Sequence, residues 1–140
     1  MSTIEGKIKK VFSYLKVEYE LVKEKDQLYF IFKINLRQGK IEAGLICNQK
    51  FSENGYINYL IQINLGEITT FDYQLLDVIN SYNYKSAYYK TYINDDKEII
   101  IETNQTCLAE NLDIHLQIII ETLLKQENNP LQDIVDKLTK

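Results

Sequence analysis

The segment spanning residues 71–126 constrains the fold more than any other part of the chain. Its pattern predicts a helix at residues 71–81, a tyrosine-rich strand at 87–93, a tight turn at 94–97, a second strand at 98–103 and a closing helix. Asn and Asp side chains in the turn can bond their own backbone, which favours a hairpin between the two strands. Helices that flank an antiparallel hairpin are typical of α+β domains.

The N-terminal half predicts a helix followed by a β-meander. Apolar residues recur at helical spacing from Ile4 to Leu15, and Ser2 and Glu5 have the spacing of a capping box, so we predict a helix at residues 3–15. Four segments rich in β-branched and aromatic residues predict successive antiparallel strands. They are residues 18–23, 28–36, 40–48 and 56–65.

Alternation within the second of these strands predicts which side is buried. Its even positions, from Leu28 to Leu36, are all apolar, whereas its odd positions include Lys33 and Asn35. Successive side chains of a strand point to opposite faces of the sheet. We therefore expect one face of the sheet to be core and the other to be partly solvated.

Two helices are predicted in the C-terminal part. The closing helix, from about residue 108 or 110 to 126, carries a wide apolar stripe that includes Leu116 and Ile119. Asn129 followed by Pro130 is typical of a new helix start, and an amphipathic helix is predicted after it. We assign one domain to residues 1–127 and a short helical tail to residues 128–140, and we favour a tail that folds back on the domain over one that packs against a partner.

Charge and hydropathy argue against two classes of partner. A chain of 140 residues with a net charge of −4 has the size of one domain, and its basic residues form no stripe, so no nucleic-acid partner is expected. Apolar runs such as residues 118–120 are far shorter than the roughly 20 residues of a membrane span, so no membrane partner is expected. The first residues show no secretion signal, which predicts a cytoplasmic location.

Side chains able to do chemistry are few. His115 is the only histidine, and Cys47 and Cys107 lie far apart without metal-binding spacing. The chain contains no phosphate-binding glycine loop and no nucleophile elbow. We therefore predict no catalytic residue, no metal and no cofactor, although a site built from carboxylates alone stays open.

Several short matches give the segment 71–126 a resemblance to a known family. They are the Leu75-Leu76-x-x-Ile79-Asn80 helix end, Asn83, Lys85-x-Ala87-Tyr88, the Asp95-Asp96 turn and Ile99-x-Ile101-Glu102. In these residues the chain resembles the YbjN family, bacterial proteins with a fold similar to type III secretion chaperones. The chain departs from the family pattern at Lys97, where a glycine is usual, and in its extra tail after Pro130.

The resemblance implies both a fold and a mode of action. The fold is an α+β domain, with helices on one face of an antiparallel sheet of about five to six strands, in the order α-β-β-β(-β)-α-β-β-α. The mode of action is contact with proteins, as a non-catalytic chaperone-like or regulatory adaptor that is often dimeric. A protein partner and a homodimer are thus expected. The alternative is a domain that binds a small molecule or lipid, or a carboxylate-only enzyme, with a pocket between sheet and helices.

Tyrosines supply the candidate site. Tyrosine is enriched in protein interfaces because it combines a large contact area with a polar tip. We predict that Tyr82, Tyr84, Tyr88 and Tyr92 bind the partner. If the strand alternates regularly, Tyr88 and Tyr92 share one face with Lys90 and Tyr89 lies on the other. An equally good interpretation is that these residues only shield the outer face of the sheet as good strand formers.

Overall fold

A computed structural model describes residues 3–48, 55–68, 73–125 and 130–138. Within them the chain forms an α+β domain with four α-helices and a six-stranded sheet, so the predicted fold class is confirmed. The elements are α1 (Ile4–Tyr14), β1 (Tyr19–Glu24), β2 (Gln27–Leu36), β3 (Gly39–Asn48), β4 (Tyr56–Glu67), α2 (Tyr73–Lys85), β5 (Lys90–Ile93), β6 (Glu98–Leu108), a 3₁₀ turn (Ala109–Asn111), α3 (Leu112–Leu124) and α4 (Pro130–Leu138).

All neighbouring strands of the sheet are antiparallel, and their order is β1-β2-β3-β4-β6-β5. The first four strands lie side by side in sequence order, and β6 lies next to β4 so that β5 is the far edge. The predicted alternation of β2 is confirmed, because Leu28, Phe30, Phe32 and Ile34 are buried while Lys33 and Asn35 are exposed. One face of the sheet therefore carries the core.

The core between the sheet and α1 is centred on aromatic rings. Phe12 of α1 has its ring centroid 5.1 Å from that of Tyr19, 5.6 Å from that of Phe30 and 5.1 Å from that of Phe32. Aromatic pairs at such distances add about 0.5–1.5 kcal/mol each beyond the burial of their area. Leu116 and Ile119 of α3 are buried in the same cluster, which makes α1, α3 and the sheet one core.

The tail folds back on the domain, as predicted. Leu131 and Ile134 of α4 are fully buried in the main core cluster, and α4 packs against α2. Gln132 is also buried, and its side chain is bonded at both ends. Its Oε1 accepts from the backbone N–H of Arg37 at 3.1 Å, and its Nε2 donates to Gln38 Oε1 at 2.7 Å. The helix is thus bonded to the β2–β3 turn as well as packed.

The start of α1 corrects one sequence prediction. The N-cap is Thr3, whose hydroxyl accepts from the Gly6 N–H at 2.9 Å, and Ser2 lies outside the described residues. Glu5 does not complete a capping box, since its carboxylate pairs with Lys23 and Lys9 at 2.7 Å each. Both ammonium groups lower the pKa of Glu5, and the hydrogen bond from Lys23 has the larger effect.

The end of α2 is a second correction. The helix does not stop at residues 80–83 but continues to Lys85, and residues 71 and 72 of its predicted start lie outside the described part. Asn83 does not end the helix but forms hydrogen bonds with β5. Its Oδ1 accepts from the Thr91 N–H at 2.7 Å, and its Nδ2 donates to the Thr91 carbonyl at 3.0 Å. The amide therefore occupies the outer edge of β5, which begins at Lys90, later than predicted.

The β5–β6 turn is built as predicted around Asn94, whose Oδ1 accepts from the Asp96 N–H at 3.0 Å and from the Glu98 N–H at 2.8 Å. Lys97 has a φ of 62°, which is the left-handed conformation that glycine favours. The lysine thus takes the backbone conformation that a glycine would supply, and the fold is kept. β6 runs on to Leu108, five residues beyond the predicted end at Thr103.

Replacing Ile134 in α4 tests whether the tail is a structural part of the domain. We expect Ile134→Ala to lower the free energy of unfolding by about 2–4 kcal/mol, because it leaves a cavity in a filled core. Asp133→Ala, at an exposed neighbouring position, is the matched control and should change stability by less than about 0.5 kcal/mol. Urea denaturation measures both, and equal effects would show that α4 is not packed.

Candidate protein-binding surface

The four tyrosines predicted to bind a partner do not lie together. Tyr88 and Tyr92 are 39% and 40% exposed beside the exposed Lys90, whereas Tyr89 is buried and donates from its hydroxyl to the Ile119 carbonyl at 2.9 Å. Exposure therefore alternates from Tyr88 to Tyr92 as predicted, although Tyr88 and Tyr89 precede β5 and are not part of a strand. Tyr84 is 92% exposed, but it lies on α2 and not on the sheet.

Tyr82 has to be removed from the predicted surface set. Its side chain is only 4% exposed and belongs to the core. The cause is the longer α2, which places Tyr82 on the same helical stripe as the buried Leu75 and Ile79. Burial raises the pKa of the Tyr82 hydroxyl, which is a property of a core residue and not of a contact surface.

The face of the sheet turned away from the helices, here called the open face, carries a row of apolar side chains. Val22, Tyr29, Ile46 and Leu60 are direct cross-strand neighbours on β1, β2, β3 and β4. Val22 and Tyr29 are exposed, and Ile46 and Leu60 are half-buried. We call these four residues the apolar band. An apolar row with no covering element in the described chain is the kind of surface that marks an interaction site.

Polar pairs lie on the open face on β4 and β6, together with the buried Ile100, which is the cross-strand neighbour of Asn64 and Tyr92. Asn58 Nδ2 donates to Asn104 Oδ1 at 2.8 Å, and Gln62 Nε2 donates to Glu102 Oε2 at 3.0 Å. Asn64 Nδ2 donates to Glu98 Oε2 at 3.0 Å. These bonds satisfy polar side chains across the strands and keep this half of the face hydrated. The band thus has one polar side.

The Tyr29 ring lies over Gly44 of β3, diagonal to its direct cross-strand partner Ile46, because the glycine has no side chain to occupy that space. A Cβ atom built on Gly44 would be 2.8 Å from the Tyr29 hydroxyl oxygen and 2.9 Å from a ring carbon. The Tyr29 ring can therefore occupy this position only because residue 44 is glycine. On the β5 side of the open face, Tyr92 contacts Gln62 and Glu102. The pKa of Tyr92 is raised, mainly by burial and to a smaller extent by the negative charge of Glu102.

A groove of about 550 Å³ lies next to the band where β1 begins. Its walls include the apolar Val17 and Ile31 and the carboxylates of Glu18, Glu20 and Glu42. Glu42 is paired with Lys33 at 3.2 Å. The groove is open to solvent on the open face and does not lie between the sheet and the helices.

The histidine and the two cysteines lie around the buried Tyr59, which is the cross-strand partner of Cys47 and interacts electrostatically with Cys107. His115 Nδ1 and the Tyr59 hydroxyl are 2.7 Å apart, so the only histidine is held against a buried side chain. Burial raises the pKa of Cys47 to about 12 and also raises that of Cys107, so both thiols are protonated at neutral pH. Among the described residues, no group of three His, Cys, Asp or Glu side chains could hold a metal ion.

Comparisons with known proteins do not assign the chain to a family: no protein-family model and no curated protein matches it. The resemblance to the YbjN family and to type III secretion chaperones stays a prediction. In the part of the chain that the structure describes, no helix is long and apolar enough to cross a membrane.

Sequence reasoning missed the apolar band. Ile46 and Leu60 occupy positions that alternate with core residues, but isoleucine and leucine in a strand also fit a half-buried outer face without any function. The band exists only because the register places Ile46 opposite both Tyr29 and Leu60. The usable signal is therefore alignment across strands, which needs the strand pairing.

A double-mutant cycle tests the contact between Gly44 and Tyr29. In the wild-type background, Gly44→Ala should destabilise the protein by about 1 kcal/mol or more, because the new methyl group overlaps the ring and displaces it. In a Tyr29→Ala background the same substitution should stabilise by about 0.5–1 kcal/mol, because alanine in a strand costs less than glycine. Urea denaturation gives all four values. An equal effect of Gly44→Ala in both backgrounds would mean that the ring does not cover Gly44.

Proposed function

We propose that the chain is a non-catalytic protein-binding module, a chaperone-like or regulatory adaptor of the cytoplasm, and that its open face is the binding surface. The observation that carries this proposal is the apolar band, since four helices cover one side of the sheet and no described element covers the other. Tyr29 and Tyr92 lie against this face with their ring surfaces partly exposed. Aromatic side chains held in place are the usual anchors of protein interfaces.

The packing of the core supports this proposal over the alternative of a pocket between sheet and helices. The side chains that face each other across that space, such as Phe12, Phe32 and Leu116, are fully buried and belong to one cluster. Among the described residues, two grooves of about 550 and 310 Å³ are open to solvent. The groove on the open face still allows a ligand-binding or carboxylate-only catalytic site, because Glu18, Glu20 and Glu42 line it. One of these carboxylates, Glu42, is already paired with Lys33.

Selection of displayed peptides tests whether the open face binds protein segments. A random peptide library is selected on the wild-type chain, and the enriched peptides are then measured against the Tyr29→Ser/Tyr92→Ser variant by biolayer interferometry. We expect enriched peptides whose affinity falls at least tenfold in the variant, because loss of two aromatic anchors removes hot-spot contacts.

The matched control for this selection is Tyr14→Ser/Tyr73→Ser, which removes two more exposed tyrosines from α1 and α2 on the helical side. This control should bind the same peptides as the wild type. If no peptide is enriched, or if both variants lose binding equally, the open face is not a specific binding surface and the proposal fails.

We also propose a homodimer, and place its contact on α3. Ile114 and Ile118 are 64% and 48% exposed and lie one turn apart on this helix. Two such side chains can meet their copies across a two-fold axis, because an isologous contact pairs the same patch on both subunits. This contact leaves the open face free for the partner.

Light-scattering mass over a dilution series tests the dimer. The wild type should give twice the mass of 16.5 kDa, and Ile114→Ser/Ile118→Ser should give the monomer mass at the same concentration. Tyr88→Ser/Tyr92→Ser, on the sheet side, should keep the wild-type mass. A wild type that is monomeric at every concentration would contradict the dimer without touching the binding role of the open face.

A further inference from the structure

A carboxylate stands on each side of the apolar band. Glu20 on β1 is the cross-strand neighbour of Ile31, two residue pairs away from Val22 and Tyr29 along the strands. Glu102 on β6 pairs with Gln62 of β4, two residue pairs away from Leu60 and Asn104. Four strand spacings separate β1 from β6, so at about 4.8 Å per spacing the two backbone positions are roughly 19 Å apart.

Neither carboxylate has a cationic partner among the described residues. The lysine across from Glu102 is Lys90, but its ammonium donates to the carbonyls of Asn83 at 2.8 Å and Ser86 at 3.1 Å. Lys33 is the basic side chain of the groove beside Glu20, and it pairs with Glu42. Glu20 is therefore left to solvent or to a partner, whereas Glu102 accepts from Gln62 at 3.0 Å and contacts Tyr92 but keeps a negative charge that no described cation neutralises.

We infer that the open face binds a protein segment in which an apolar stretch is flanked by two basic residues, Lys or Arg, about 19 Å apart. The apolar stretch lies on the band, and the two cations reach Glu20 and Glu102. Opposite charges at the ends of an apolar contact fix the register of the bound segment and exclude partners with acidic flanks. The inference rests on the proposed function and names the partner for that same surface.

A second copy of the chain fits this face less well. Its own open face would bring another Glu20 and another Glu102, and two of its lysines on this face, Lys33 and Lys90, are already engaged. Face-to-face association would therefore leave like charges at the contact, which is unfavourable. A nucleic acid is disfavoured by the same carboxylates.

Synthetic peptides test the inference directly. The first is a helix-forming peptide with an apolar stripe, one tryptophan and two lysines placed fourteen residues apart, which puts them on one side of the helix roughly 21 Å apart. The second replaces both lysines with glutamate, and the third moves them to a spacing of seven residues. The chain itself has no tryptophan, so the fluorescence anisotropy of the peptide reports binding without background.

The first peptide should bind the wild-type chain at least fivefold more tightly than either of the others. Glu20→Gln/Glu102→Gln should weaken its binding roughly five- to tenfold, which corresponds to two exposed charge pairs. Asp77→Asn/Glu110→Gln is the matched control, since it removes two exposed carboxylates outside the open face and should bind as the wild type does. Raising the salt concentration should reduce the preference for lysine.

Three results with the synthetic peptides and the charge variants would overturn the inference. They are equal binding of the lysine and glutamate peptides, equal loss in the two double variants, and a wild-type mass that falls to the monomer mass in Glu20→Gln/Glu102→Gln. The last result would identify a second copy as the occupant. Displayed peptides that lack basic residues but depend on Tyr29 and Tyr92 would refute this inference and leave the proposed function standing.

Discussion

The structure depends on burying one face of a six-stranded sheet under helices that are too short to be stable alone. The four helices have 9 to 13 residues, and isolated helices of that length are marginal in water. Their stability must come from the apolar stripe that each one presses onto the sheet. Phe12, packed among Tyr19, Phe30 and Phe32, shows this most directly because one helix side chain contacts both β1 and β2.

The helix α4 packs where the β2–β3 hairpin has no neighbouring strand among the described residues. In the described part of the chain, β3 pairs with β4 only from Gly44 to Cys47, although β2 pairs with β3 over ten residues. The β2–β3 hairpin thus extends beyond its support by β4. α4 bridges this hairpin and α2, through Gln132 at the β2–β3 turn and a bond from Lys137 to Gln74 at 2.8 Å. The segment after Pro130 is therefore a structural element that closes one end of the core.

Most of the fold could be predicted from the sequence because its signals are local. Alternation in β2 and the Asn94 turn each act within a few residues, and the strands between residues 18 and 67 were placed to within two residues of the observed bounds. The errors arose where a distant contact decided the outcome. Asparagine is frequent at helix ends, but the side-chain amide of Asn83 forms hydrogen bonds with the backbone of Thr91, and α2 continues past it.

The candidate surface was predicted only in part, for the same reason. Tyrosine side chains serve a core or a surface equally well, and only the length of α2 determines that Tyr82 is buried. Alternation was sufficient for Tyr88, Tyr89 and Tyr92, since it depends on neighbouring residues alone. The apolar band joins four strands, so no local pattern could indicate it.

The edges of the sheet support the proposal that a partner binds the open face. An exposed edge strand offers unpaired backbone groups to another chain, and proteins block this with charges or with side chains that bond to the edge. The Asn83 amide occupies the β5 edge at Thr91, and β1 presents Glu20 and Glu24 at the other edge. Since both edges are protected against strand addition, the partly exposed apolar row between them is the surface of the sheet that the fold leaves available for binding.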